Sequence, residues 1–175
     1  MESHAKILGH PAHPILVVFP LGLLAASLGF DIGYLATANI EFPIVSFWLI
    51  SAGIIGGLLA AIFGAIDWWA IPKPTRAYTI ATWHGLGNLA VVILFIVSWV
   101  LRFGADSYIP SKAALVLSFV AVATALVTGW LGGELVDRLG VGVDDGAHLN
   151  APSSLAHHGT SSTTATRGSQ QPHGI

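Results

Sequence analysis

Four stretches of the chain run long and nearly without charge: Ile15 to Ala36, broken only by Asp31; Phe42 to Ile66; the interval between Arg76 and Arg102; and the interval between Lys112 and Glu134. A helix rises about 1.5 Å per residue, so roughly 20 apolar residues cross the ~30 Å of a bilayer's hydrocarbon. The pattern predicts an all-α, four-helix transmembrane bundle with spans at about 15–36, 46–66, 78–101 and 113–133. Pro72-Lys73-Pro74 and Ile109-Pro110-Ser111 break the helices at two of the joins, and connections this short make neighbouring helices antiparallel. Pro14 suits the first helical position, which puts His13 near the N-cap, and Pro43 falls near the start of the second helix.

Residues 1–14 then form an amino-terminal segment and residues 144–175 a tail. From Gly146 the tail is rich in Gly, Ser, Thr, His and Pro, a composition that predicts disorder, and His157, His158 and His173 are assigned no role in it. Ala36-Thr37-Ala38 has the form of a signal-peptidase site. The apolar run before it exceeds an h-region of about 7–15 residues and contains Pro20, so the first helix is expected to be retained.

Composition agrees with the pattern: 54% of the 175 residues are hydrophobic and 9% charged, against about 25% charged in a soluble domain. A formal charge of −2 without any cluster of Lys and Arg excludes nucleic acid as a partner. With no cysteine, the chain has no disulfide, thiolate zinc site, cysteine-held iron–sulfur cluster or c-type haem, so a metal would need His or carboxylate ligands. Nucleophile-elbow, phosphate-loop, dinucleotide-glycine and His-Glu-x-x-His motifs are all missing, and no enzymatic activity is predicted.

Lipid tails give helices no hydrophobic reward for associating, so small residues must supply close packing. Gly53, Gly57, Ala61 and Ala65 recur at steps of four, with Gly56, Ala60 and Gly64 beside them, and Ala121, Ala125, Gly129 and Gly133 repeat the spacing. These stripes are expected to pack one bundle together in preference to forming a homo-oligomer. Lys6, Lys73, Arg76 and Arg138 on one side outnumber Arg102 and Lys112 on the other, which predicts cytoplasmic termini, with Trp68, Trp69 and Trp83 anchored at that interface.

Antiparallel packing brings most ionisable groups to that same end: His10 and His13 before the first span, Asp67 after the second, His84 in the third, Glu134 and Asp137 after the fourth. Asp31 lies at the opposite end. If the third helix starts near Thr75, His84 is roughly 13 Å along it, a depth at which an ionisable group normally faces the bundle interior, a cavity or a cofactor. Asn88 follows one turn later on the same face. Three chemistries suit the set. One is b-type haem, with His84 and either His13 or His10 as axial ligands. Another is a non-haem metal on His10, His13 and His84 with Asp67 or Glu134. The last is proton or ion movement without a cofactor. The histidine-led set favours haem, hence a redox subunit exchanging electrons with quinone or a partner protein, with Asp67, Asn88 and Glu134 supporting the ligands or handling protons. The competing expectation is a non-catalytic assembly or ion-handling component whose polar groups bond across helices.

These residues also carry a resemblance. Gly9-His10-Pro11-Ala12-His13-Pro14-Ile15-Leu16-Val17, Asp31, Gly64-Ala65-Ile66-Asp67, His84, Gly129-Trp130-Leu131-Gly132-Gly133-Glu134-Leu135-Val136 and Gly140-Val141-Gly142-Val143 together resemble the bacterial membrane-protein family called domain of unknown function 2231. The resemblance covers roughly Gly9 to Val143. It implies four transmembrane helices in a bacterial inner membrane and an uncharacterised role, and relatives joined to Rieske-type iron–sulfur domains point toward electron transfer. The family's last motif has Tyr and His where this chain has Asp137 and Leu139, so a function needing that histidine is not expected here.

Overall fold

The computed structural model describes residues 1–155; residues 156–175, which include the three tail histidines, lie outside the described residues. Four long helices account for most of the described residues: α1 (Ala12–Thr37), α2 (Glu41–Ala70), α3 (Arg76–Arg102) and α4 (Lys112–Gly133), the last continuing through one wide π-helical turn at Glu134–Arg138. All four are long and apolar enough to cross a membrane. Ahead of them, β1 (Lys6–Ile7) and β2 (His10–Pro11) pair as a minute antiparallel hairpin.

Hydroxyl caps start two of the helices: Thr75 Oγ1 accepts the amide of Tyr78 at 3.1 Å, and Ser111 Oγ that of Ala114 at 3.2 Å. α1 begins earlier than the prolines suggested. The hairpin delivers the chain so that Ala12 N–H bonds Ala5 O at 2.8 Å, and the helix is already under way at His13, with Pro14 third in it. Pro43 is likewise third in α2. The first turn of a helix has no internal partner for its amides, so proline at either place forfeits nothing.

The chain folds as two hairpins, α1 against α2 and α3 against α4, with lighter contact of α2 on α3 and of α4 on α1 closing a ring. These hairpins repeat one another. At one constant offset in numbering, buried Pro20, Leu24, Ser27 and Asp31 of α1 match buried Val91, Phe95, Ser98 and Arg102 of α3. At a second offset, Ser46, Gly53 and Ala60 of α2 match Ala114, Ala121 and Thr128 of α4. Because α1 and α3 run the same way, a pseudo-twofold axis lies along the bundle. Residues matched between α1 and α3 therefore face each other across it.

The small-residue stripes need one correction. Gly53 and Ala60 are buried, and Gly64 packs against His13, whereas Ala61, Ala65, Gly129 and Gly133 are exposed. Steps of four drift around a helix of 3.6 residues per turn, so the buried line follows alternating steps of four and three. At mid-depth the interior is apolar, built from Leu24, Ile50, Val91, Phe95 and Ala121.

Of the expected tail, residues 144–155 run as turns against the amino-terminal segment. Ser154 Oγ bonds Leu8 O at 3.2 Å, and the Asp145 amide bonds Glu2 at 3.3 Å. Lys6 holds the Glu2 carboxyl below the usual carboxylate range. That contact is thus present at neutral pH and is lost as the pH falls through the lowered value.

Candidate functional site

The two bundle histidines meet across the pseudo-twofold axis. Their ring centroids are 6.2 Å apart and their planes nearly perpendicular, at 85°. Each is tied to the second helix of its own hairpin: His13 Nδ1 to Ala60 O at 2.9 Å, and His84 Nδ1 to Thr128 O at 2.8 Å. A carbonyl oxygen only accepts, so both Nδ1 atoms carry hydrogen and donate. Glycine makes room for both rings: a Cβ on Gly64 would come within 2.9 Å of His13 Nδ1, and one on Gly132 within 3.0 Å of His84 Cε1.

The pair differs at the other nitrogen. Asn88, one turn after His84, lies 3.1 Å from His84 Nε2, and the Thr128 hydroxyl reaches Asn88 Oδ1 at 2.9 Å. The matching position after His13 is Val17, which offers nothing polar.

The remaining residues singled out from the sequence have other partners. His10 is exposed on β2, its Nε2 3.1 Å from Ser154 Oγ. Asp67 secures the amino-terminal segment, accepting from the Ser3 hydroxyl at 2.9 and 2.8 Å, the His4 amide at 2.8 Å and the Ala5 amide at 3.2 Å. Glu134 pairs with Arg76 at 2.6 Å. Neither carboxylate bonds a histidine ring among the described residues. Leu139, standing where the resembled motif has histidine, packs in an apolar cluster with Ile71, Ala81 and Leu135. Trp68 donates to Thr82 at 2.9 Å under Lys73, and Trp69 and Trp83 are exposed.

Asp67→Ala is expected to release residues 3–5 from the end of α2. Hydrogen bonds to a charged group contribute about 1.5–3 kcal/mol, so amide exchange at His4 and Ala5 should quicken at least about tenfold. Exchange-detected mass spectrometry reads this directly.

At the other end lies a site that the sequence reading did not assemble. Asp31, a lone charge by hydropathy, and Arg102, a charge flanking a span, are both 0% exposed and form a bidentate pair. Nη1 donates to Asp31 Oδ1 at 2.7 Å and Ser46 Oγ at 3.2 Å; Nη2 to Asp31 Oδ2 at 2.6 Å and Ser118 Oγ at 3.1 Å; Nε to Ser98 Oγ at 3.4 Å. Every guanidinium N–H has a partner, and all four helices contribute one. The signal that could have found it is the repeat: eighteen residues separate His13 from Asp31 and His84 from Arg102, about 27 Å at 1.5 Å per residue. Opposite charges at one depth in two apolar spans are each other's natural partners. The histidine pair and the ion pair thus bracket the apolar interior over nearly the thickness of a bilayer's hydrocarbon.

Residues 9–145 match the family described as predicted membrane protein, domain of unknown function 2231. The chain belongs to this family. The span matched holds both histidines, the ion pair, Asp67, Asn88 and Glu134, so the whole polar framework lies inside the family's bounds. No curated protein and no solved structure matches the chain.

Proposed function

We propose that this family member is a membrane component that binds and releases protons at one face of the bilayer, with the His13–His84 pair as the exchange site. What supports the reading is the juxtaposition itself: two imidazoles 6.2 Å apart, neither bonded to a carboxylate among the described residues. Two imidazolium ions at that distance in a half-buried site repel each other, so the pair is suited to hold one proton at a time. Exchange is one-sided, because the apolar cluster at mid-depth supplies no relay toward the Asp31–Arg102 end. On this reading the exchanging face is the cytoplasmic side of a bacterial inner membrane: Lys6, Lys73, Arg76 and Arg138 flank it, whereas Arg102 is sunk in the bundle.

Proton uptake by the purified protein in nanodiscs tests this. Between about pH 8 and 5, the wild type should take up about one proton per chain more than a His13→Gln/His84→Gln variant. Equal uptake would sink the reading.

A b-type haem between His13 and His84 is the second reading, and one observation favours it. An imidazole whose Nδ1–H is anchored on a carbonyl has its Nε2 oriented for a metal. The donor set fits incompletely, since His84 Nε2 already takes Asn88 and His10 stands at the surface. A haem held by both rings would require the His84–Asn88 bond to open. A Soret band with bound iron, lost in His84→Gln, would identify this reading, and electron exchange with quinone or a partner protein follows only from it.

A further inference from the structure

We infer that His84, not His13, is the proton-holding member of the pair, and that Asn88 and Thr128 form a switch that satisfies it in both charge states. The inference rests on the proton-exchange reading and deepens it by naming the atom, His84 Nε2.

In the neutral state Nδ1–H donates to Thr128 O, Nε2 accepts from the Asn88 amide nitrogen, and the Thr128 hydroxyl donates to Asn88 Oδ1. A proton added at Nε2 needs an acceptor. Rotating the Asn88 amide by half a turn supplies one, because its oxygen and nitrogen exchange places with hardly any change in shape. The Asn88 nitrogen then donates to Thr128 Oγ1, whose hydroxyl hydrogen must turn elsewhere. Ala125 O stands 3.1 Å from that oxygen and receives it. In both states the His84 ring nitrogens, the Asn88 oxygen and the Thr128 hydroxyl keep a hydrogen-bond partner, and no helix moves between them.

His13 has no such device. Its Nδ1 is tied to Ala60 O, and Val17 occupies the place that Asn88 holds beside His84. A proton on His13 Nε2 would add a donor without an acceptor among the described residues, which is costly in a half-buried site. The charged and titratable groups at this end are the amino terminus, Glu2, His4, Lys6 and His10 of the first segment, His13 on α1, Asp67 on α2, Lys73 in the turn after it, Arg76 and Tyr78 on α3, and Glu134, Asp137, Arg138, Asp144, Asp145 and His148 after α4. Asp67 is committed to residues 3–5 and Glu134 to Arg76. The cation on His84 is therefore stabilised by amide and carbonyl dipoles, with the neutral His13 ring alongside.

Nuclear magnetic resonance on the full chain in nanodiscs, with histidine and asparagine side chains labelled by ¹⁵N, decides the matter. In the wild type the Asn88 amide signals should shift with the same midpoint as the His84 ring. In Asn88→Leu the proton affinity of His84 should fall at least about tenfold, one unit of midpoint toward acid. Val17→Asn should raise the affinity of His13. A His84 midpoint unchanged in Asn88→Leu overturns the switch and leaves the exchange reading standing, whereas two rings that never titrate overturn that reading itself. If Asn88→Leu does not fold, the wild type alone suffices: Asn88 signals that stay fixed while His84 titrates overturn the switch.

Discussion

Asp31→Ala is expected to cost about 3–5 kcal/mol of bundle stability, the largest effect of any single substitution proposed for this protein. Truncation leaves the Arg102 guanidinium at the end of the bundle interior with three serine hydroxyls and no counter-charge. The cost is that of a buried cation without its anion, not the net worth of the pair. Removing both partners tests this distinction. Asp31→Leu/Arg102→Met carries no buried charge and should recover most of the loss, because a packed apolar replacement of a buried pair is often neutral or better by about 1–4 kcal/mol. Unfolding in mixed detergent micelles, with helicity as the readout, compares the three proteins. A single variant as stable as the wild type would mean that water reaches Arg102.

Phe95→Ala is expected to have the next largest effect, about 3 kcal/mol. Phe95 is 0% exposed and sits with Leu24, Ile50, Val91 and Ala121 at mid-depth. In soluble proteins such a truncation costs about 3–5 kcal/mol, part from transfer out of water and part from the cavity left behind. Within a bilayer the first contribution nearly vanishes, since lipid tails are as apolar as the core, and only lost packing remains. The value should accordingly fall at the low end of that range in the same unfolding experiment. Leu24→Ala at the matching position on α1 should cost less, because Leu24 is smaller than Phe95 and remains slightly exposed.

The electrostatic and packing losses fall in different places for a reason rooted in the repeat. Matched positions on α1 and α3 meet across the axis, so what stands there decides what each level of the bundle does. Histidine opposite histidine sets two imidazoles face to edge, 6.2 Å apart. Leucine opposite phenylalanine makes an apolar seal. Aspartate opposite arginine makes a neutral lock, and pairing either hairpin with a copy of itself would set two like charges together in the interior. A protein built from two similar hairpins thereby gains a preference for joining unlike halves.

The helices, their number and their approximate ends were legible in the residues alone. Glu41 with Asp67, Arg76 with Arg102 and Lys112 with Glu134 bound uncharged runs of membrane-spanning length, and Thr75 and Ser111 are hydroxyl caps at the places where α3 and α4 begin. The gathering of His13, Asp67, His84 and Glu134 at one end also follows from antiparallel order. Which of them touch does not follow. Asp67 turned out to hold Ser3, and Glu134 to hold Arg76, because the amino-terminal segment folds back over α2 and the turn after α4 opens to five residues. Nor could hydropathy say which face of each span looks inward, since a leucine facing lipid and one facing the core are equally apolar.

By itself, the order of the amino acids determined that this chain lies in a membrane as four antiparallel helices, because partition between water and lipid is settled residue by residue along the chain. Only the tertiary structure decided that Asp31 reaches Arg102, that His13 meets His84 and that Asn88 attends one imidazole and not the other. Those pairings depend on how far each helix is rotated and shifted against its neighbours, and the close fit of small residues such as Gly53, Gly64 and Gly132 between the helices sets both.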